Sequence, residues 1–132
     1  VVFGQTYALL EHSHAALVTS GTATLETALF RVPQVVCYYF GGGKAVNFIF
    51  RHFFHVPYIS LVNLIAGCEV VRELFGAGFT RERIRAELER ILYDKAYRSR
   101  MLRGYDRVIR TLGPPGASQR TATLLRERMG GE

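Results

Sequence analysis

Residues 15–40 read AALVTSGTATLETALFRVPQVVCYYF, and the breaks in this stretch divide it into three elements. Ala15–Val18 is a continuous apolar run, which predicts a strand that is covered on both faces. Thr22–Arg31 has an apolar helical pattern that Val32–Pro33 stops. Gln34–Phe40 is β-branched and aromatic, which predicts a second strand. Strand, helix and strand in this order predict a right-handed crossover unit of a parallel sheet.

The residues around this unit predict two more helices and one more strand. We expect a short helix at Tyr7–Leu10 that ends near His12, and a helix over residues 44–54. Val56–Ser60 predicts a third strand, and Asn63–Gly67 predicts a loop or a tight turn after it. Because open parallel sheets usually have about 4 to 6 strands, we expect further strands on the N-terminal side.

The second half of the chain predicts helices. Val70–Phe75 predicts a short helix closed by glycines, and Thr80 predicts the N-cap of the next helix. A further helix is predicted over Tyr97–Leu112, and Gly113–Gly116 ends it. The fold class predicted from these elements is α/β, with a parallel sheet, flanking helices and a helical C-terminus.

Composition excludes several classes of protein. The 132 residues are 48% hydrophobic, which is enough for one ordinary core, and they start without Met, so we expect a piece of a longer protein. The two cysteines are far apart, which favours reduced, buried thiols over a disulfide or a zinc site. The apolar stretch around residues 45–67 is interrupted by polar residues and predicts no membrane span. The net charge of +6 lies mostly on predicted helices, and no nucleic-acid signature accompanies it.

Polar residues follow the predicted strands, and the carboxyl ends of parallel strands share one edge of a sheet. We therefore expect Ser20–Thr22, Gly41–Lys44 and Ser60–Asn63 to lie near one another. At the first of these loops, Gly21 allows close approach of a phosphate to the backbone at a helix start. Glu26 lies four residues after Thr22, on the same helix face, where its carboxylate suits ribose hydroxyls. An alternative to ligand binding has equal weight. In it, Ser20 only caps the helix and Glu26 is a surface acid near the helix start.

The other polar residues give weaker signals. Gly41–Lys44 lacks the residues of a P-loop and favours a flexible turn, although Lys44 is able to reach an anion. Asn63 suits either a ligand or the capping of nearby backbone. The four histidines favour surface positions over catalysis. The aromatic and basic residues of 48–55 favour a core helix, with contact to a membrane or an acyl chain as the alternative.

Three strings resemble the lipid-A-disaccharide synthase family. They are VTSGTATLE at residues 18–26, VPQVVCY at residues 32–38 and ISLVNLIA at residues 59–66, and the similarity runs from residue 4 to about residue 112. The resemblance implies a GT-B fold of two Rossmann-like domains, of which this chain is part of the C-terminal, nucleotide-binding one. It implies that residues 1–112 are a partial UDP-sugar-binding Rossmann-like domain and that residues 113–132 are a linker and a C-terminal helix.

The resemblance also implies a reaction. The family transfers 2,3-diacylglucosamine from its UDP donor to 2,3-diacylglucosamine 1-phosphate and releases UDP, without a metal or another cofactor. By position, Ser20, Gly21, Thr22 and Ala23 would face the diphosphate, Glu26 the ribose, and Asn63 the donor side of the cleft. The catalytic base would come from the other domain, so no catalytic residue is expected in this chain, and we expect it to bind UDP weakly without turnover.

The resemblance implies a peripheral enzyme on the cytoplasmic face of the inner membrane of a Gram-negative bacterium, with homodimerisation. Two alternatives remain open at this point. One is another UDP-sugar transferase or epimerase of the same fold. The other is a noncatalytic basic α/β module that binds anionic nucleotides or lipid headgroups.

Overall fold

A parallel sheet lies at the centre of the chain. The computed structural model describes residues 4–19, 21–38 and 58–113. Within these residues the sheet has three strands in the order β1-β2-β3, and both neighbouring pairs are parallel. The strands are β1 (Ala16–Val18), β2 (Gln34–Tyr38) and β3 (Arg72–Phe75).

Helices flank this sheet along the described chain. They are α1 (Thr6–Glu11), α2 (Gly21–Leu29), α3 (Leu61–Ala66), α4 (Arg81–Tyr93) and α5 (Lys95–Leu112), and a 3-10 turn at Gly76–Gly78 follows β3. Helix α2 packs against α3, and α5 packs against α2, α3 and α4. The α/β fold class expected from the sequence is therefore confirmed, with a parallel sheet and flanking helices.

The predicted crossover unit is present. Strand β1 pairs in parallel with β2, with Ala16 opposite Gln34 and Val18 opposite Val36, and α2 connects the two strands. Two residues after α2, Arg31 has a left-handed backbone conformation, with a φ of 58°. The Val32 N–H donates to the Thr27 carbonyl and the Arg31 N–H to the Ala28 carbonyl, which is the hydrogen-bond pattern of a Schellman motif. The chain is thus turned into β2 just before Pro33.

Burial differs between the first two strands. In β2 the adjacent residues Val35 and Val36 are both fully buried, and because neighbouring side chains point to opposite faces, β2 is covered on both. In β1 the side chain of Leu17 is 52% exposed. The strand at Ala15–Val18 was predicted correctly, but its burial on both faces was wrong, since β1 is an edge strand of the described sheet.

The segment before α4 differs from the sequence prediction. Residues 58–60 are not a strand, and the predicted loop at Asn63–Gly67 is mostly helix, α3, which ends at Gly67 with a φ of 66°. The predicted helix at Val70–Phe75 is wrong, because Arg72–Phe75 forms β3 beside β2. The apolar spacing of this short segment fits a helix, but pairing with a distant strand decides its structure.

The last two helices agree with prediction. The Thr80 side chain accepts a hydrogen bond from the Arg83 N–H at the start of α4, as expected for an N-cap. Helix α5 ends at Leu112, and Gly113 follows with a φ of 75°. The buried face of α5 carries Tyr105, whose hydroxyl donates to the Val32 carbonyl at 3.1 Å and so ties α5 to the start of β2.

Several predictions lie outside the described residues. They concern the Gly41–Lys44 loop, the helix over residues 44–54, and the linker and C-terminal helix beyond Gly113. Both cysteines are free thiols, as expected, but only Cys37 is buried, and this burial raises the pKa of its thiol. Cys68 is partly exposed, so the expectation of two buried thiols is wrong for Cys68.

Candidate functional site at the start of helix α2

The start of α2 lies at the carboxyl edge of the parallel sheet, directly after β1. The helix begins at Gly21, and Ser20 lies outside the described residues. The first backbone N–H groups of a helix have no acceptor within it, and the helix dipole makes this end positive. No acidic side chain occupies the first turn of α2. Thr22 is exposed and Ala23 is partly buried, so this turn is accessible to a ligand.

Two faces of α2 use their polar groups differently. On the inner face, the buried Thr27 hydroxyl donates to the Ala23 carbonyl at 2.7 Å, and the Thr24 carbonyl accepts from Gln34 Nε2 at 2.9 Å. On the other face, Glu26 is partly buried and lies four residues after Thr22. Among the described residues, the Glu26 carboxylate has no hydrogen bond or ion pair. Within the part of the chain that the structure describes, Glu26 thus has acceptor oxygens available beside an exposed helix start.

The Asn63 side chain is fully buried in α3, and its amide is used within the chain. Its Oδ1 accepts the N–H groups of Val70 and Val71 at 2.8 and 3.0 Å. Its Nδ2 donates to the Val71 carbonyl at 2.8 Å and to Glu73 Oε1 at 2.9 Å. An amide oxygen accepts two hydrogen bonds and an amide nitrogen donates two, so Asn63 has no position left for a ligand. The sequence allows Asn63 either to bind a ligand or to cap nearby backbone, and in the structure its amide caps the backbone of Val70 and Val71.

Glu73 holds the other end of this network. Its Oε2 accepts the Ile59 N–H at 2.9 Å, and its Oε1 accepts the Ser60 N–H at 2.8 Å as well as the Asn63 amide. The Ser60 side chain in turn accepts the Asn63 N–H and caps α3. Glu73 on β3 and Asn63 on α3 therefore fix the start of α3, the helix that packs against α2.

Comparison with known proteins identifies the family. The sequence profile of the lipid-A-disaccharide synthetase family matches residues 1–124. The chain belongs to the lipid-A-disaccharide synthetase family. A protein named lipid-A-disaccharide synthase from Anaeromyxobacter dehalogenans strain 2CP-1 is 38% identical over 92% of this chain and 31% of its own length. The proteins of the same name from Myxococcus xanthus and Prochlorococcus marinus strain MIT 9313 are 37% and 42% identical, over 96% and 81% of this chain and 33% and 27% of their own lengths.

The chain thus spans about a third of the length of these relatives. Within that third, the structure places two of the family-implied residues, Thr22 and Glu26, on one face of α2. Gly21 and Ala23 share the first turn with Thr22. Asn63 lies on the neighbouring helix, with its amide directed to the backbone before β3. The structure therefore groups residues 21–26 and assigns Asn63 a separate, structural set of contacts.

Sequence reasoning missed Glu73, which accepts hydrogen bonds in the network around Asn63. Its carboxylate lies in the string RELF, for which the sequence predicts a helix, and the residues that it binds lie 10 to 14 positions earlier in the chain. The one signal that pointed to it is a single acid within a short apolar segment. Glu73 is partly buried, and its donors are the backbone N–H groups of Ile59 and Ser60 and the Asn63 amide, which no local pattern brings together.

Other candidate residues have less to offer to a ligand. The exposed His12 ring lies 2.9 Å from the Ala8 carbonyl, and His14 is exposed, while His52 and His55 lie outside the described residues. In the described part of the chain, no group of three or more His, Cys, Asp or Glu side chains is placed to hold a metal ion. In the same part, no helix combines the length and the apolar character needed to cross a membrane.

Proposed function

We propose that this chain supplies the donor-binding part of a lipid-A-disaccharide synthase. The reaction is the transfer of 2,3-diacylglucosamine from its UDP donor to 2,3-diacylglucosamine 1-phosphate, with release of UDP. The match of the family profile to residues 1–124 carries the proposal. The accessible start of α2, with the available carboxylate of Glu26 one turn further on, supports it.

In this proposal, the first turn of α2 binds the diphosphate of UDP. The backbone N–H groups of Gly21, Thr22 and Ala23 point toward the anion, and Ser20 adds its hydroxyl. The absence of a side chain at Gly21 lets the phosphate come close to the backbone. Because negative charge grows on the diphosphate as the sugar leaves, these fixed dipoles bind the transition state more strongly than the ground state.

Glu26 is proposed to bind the ribose of UDP. A carboxylate accepts hydrogen bonds from two vicinal hydroxyls at once, and Glu26 lies on the same helix face as Thr22. Its oxygens have no partner among the described residues, so ribose binding breaks no existing contact there. Asn63 acts in this site as a positioning residue, since its contacts fix the helix that packs on α2.

The general base of the reaction is assigned to residues outside this chain. The acceptor hydroxyl must lose a proton during attack, and the carboxylate of the nucleotide site, Glu26, is assigned to the ribose instead. We expect residues 1–132 alone to bind UDP and to form no disaccharide. Since the substrates are acylated, we also place the whole enzyme on the cytoplasmic face of the inner membrane, and we propose that it is a homodimer.

Calorimetric titration of the chain with UDP tests the nucleotide site. Glu26→Ala is expected to weaken UDP binding by about tenfold or more, since hydrogen bonds to a charged group are among the stronger ones. Glu82→Ala, which removes an exposed acid from the first turn of α4, is the matched control and leaves the affinity unchanged. UDP is expected to bind more tightly than ADP, GDP or CDP. Equal binding of UDP by the wild type and Glu26→Ala contradicts the assignment.

A further inference from the structure

An open cavity of about 690 Å³ lies between α5 and the segment that leads into β3. Four arginines of α5 line it, at spacings of three, four and three residues, which places them along one side of the helix. They are Arg100, Arg103, Arg107 and Arg110. Cys68, Glu69 and Val70 form the facing wall.

The two acids of this cavity form their ion pairs with arginines outside it. Glu69 pairs with Arg72 at 3.0 Å, and Asp106 pairs with Arg31, and neither of these arginines lines the cavity. Within the described chain, none of the four lining arginines has an ion-pair partner. The Arg107 guanidinium donates a hydrogen bond from Nη1 to the Cys68 sulfur, at 3.3 Å. The lining of the cavity therefore carries four arginines against two acids, and both acids are paired with arginines outside it.

The position of the facing wall is fixed by close packing. A Cβ atom added at Gly104 would lie 2.3 Å from Cγ1 of Val70, so the backbone of α5 approaches the Val70 side chain closely only because residue 104 is glycine. Asn63 holds the backbone N–H groups of Val70 and Val71 from the other side. The wall therefore cannot move toward the arginines to fill the space between them.

The cavity is also separate from the start of α2. The segment 68–70 precedes β3, so it lies at the edge of the sheet where the strands begin. Helix α2 starts after β1, at the edge where the strands end. A ligand of the arginine cavity would therefore bind near the amino ends of the strands, whereas the proposed nucleotide site lies at their carboxyl ends.

We propose that this arginine cavity binds a phosphate group. A guanidinium presents its N–H donors in a planar fork that matches two oxygens of a phosphate, and a cluster of such groups favours a dianion. The ligand is either free phosphate or the headgroup of an acidic phospholipid, and both offer the same oxygens to the arginines. The inference is independent of UDP binding, because it uses other residues at another edge.

Cys68 gives a local readout of this site. It lines the cavity and is partly exposed, whereas Cys37 is 4% exposed and serves as an internal reference for folding. The full chain is treated with N-ethylmaleimide, a neutral reagent, and the alkylation of each cysteine is followed by peptide mass spectrometry. Inorganic phosphate is expected to slow alkylation of Cys68 and to leave Cys37 unchanged, while sodium chloride at equal ionic strength has little effect.

A pair of double variants tests whether the arginines are responsible. Arg103→Gln with Arg110→Gln is expected to raise the phosphate concentration for half-protection by about tenfold or more. Arg81→Gln with Arg85→Gln removes the same charge from exposed positions of α4 and is expected to keep the wild-type value. Protection that sodium chloride reproduces, or that both double variants lose equally, overturns the proposal. Unchanged Cys37 reactivity shows that each variant is folded.

Vesicles distinguish the two sources of the phosphate. Phosphatidylcholine vesicles with and without phosphatidic acid are compared with inorganic phosphate at equal phosphate concentration. Stronger protection of Cys68 by the phosphatidic acid vesicles identifies a lipid headgroup, and stronger protection by inorganic phosphate identifies a soluble ligand. Either result depends on Arg103 and Arg110, and the absence of protection by both probes overturns the site.

Discussion

The β1–α2 junction and the α3–β3 segment each contain one partly buried glutamate, Glu26 and Glu73, but they use it in opposite ways. Glu26 at the junction has no side-chain partner among the described residues, whereas Glu73 accepts three hydrogen bonds, from Ile59, Ser60 and Asn63. A buried polar group without a partner costs free energy, and the Glu73 carboxylate supplies the acceptor that the backbone N–H of fully buried Ser60 needs. Glu26 is also partly buried, but within the described chain no donor contacts its carboxylate, so its oxygens are available there for a ligand. The hydrogen-bond partners of an acid thus separate a structural role from a binding role.

Among the variants that test this contrast, Asn63→Ala is expected to lower the free energy of unfolding most. The substitution leaves the N–H groups of Val70 and Val71 without their acceptor and removes a donor from Glu73. Each unsatisfied group costs about 1–3 kcal/mol, so we expect a loss of about 3 kcal/mol or more in the free energy of unfolding, measured with urea. A loss below about 1 kcal/mol, the size of an ordinary net hydrogen bond, would show that water replaces these contacts.

Asn63→Asp sharpens the same test through pH. The new carboxylate keeps an acceptor for Val70 and Val71 but lies against Glu73, which accepts a hydrogen bond from Asn63 in the wild type. Repulsion raises the pKa of the new carboxyl in the folded state, so the folded state binds its proton more tightly than the unfolded state. The stability of the variant relative to the wild type therefore rises as the pH falls from 8 toward about 4, and urea unfolding at each pH measures it. A pH-independent difference would contradict this contact.

Glu73→Gln is expected to have the next largest effect. A neutral amide has one oxygen, so the N–H group of either Ile59 or Ser60 loses its acceptor. We expect a loss of about 1–3 kcal/mol in the free energy of unfolding. The control is Glu69→Gln, which breaks only the exposed pair with Arg72 and should cost about 0–1 kcal/mol. Equal losses in both variants would place Glu73 among ordinary surface acids.

The sequence predicted the β1–α2 junction well because local residues determine it. A run of apolar residues ends at Ser20-Gly21, a helical pattern ends before Pro33, and a β-branched run follows, so each boundary has its own signal nearby. The grouping of Thr22 with Glu26 follows from helix periodicity alone. This part of the fold and of the candidate site was therefore accessible from the sequence.

The α3–β3 segment was not predictable in the same way. Val70–Phe75 has apolar residues at helical spacing, and its conversion to β3 depends on pairing with β2, more than thirty residues earlier. The role of Asn63 depends on Val70, Val71 and Glu73, which become its neighbours only when α3 folds back on β3. Such contacts are formed by tertiary structure and leave no periodic pattern in the sequence.

Glu26→Gln is expected to have the smallest effect on stability and thereby completes the contrast with Glu73→Gln. Both variants replace one carboxylate oxygen by an amide nitrogen, so the chemical change is the same. Because Glu26 has no side-chain partner among the described residues, we expect the free energy of unfolding of the Glu26→Gln variant to stay within about 0.5 kcal/mol of the wild-type value. In calorimetry the same variant should bind UDP more weakly, since its amide accepts fewer hydrogen bonds than the carboxylate. A variant that loses stability but keeps its UDP affinity would reverse the roles of the two glutamates.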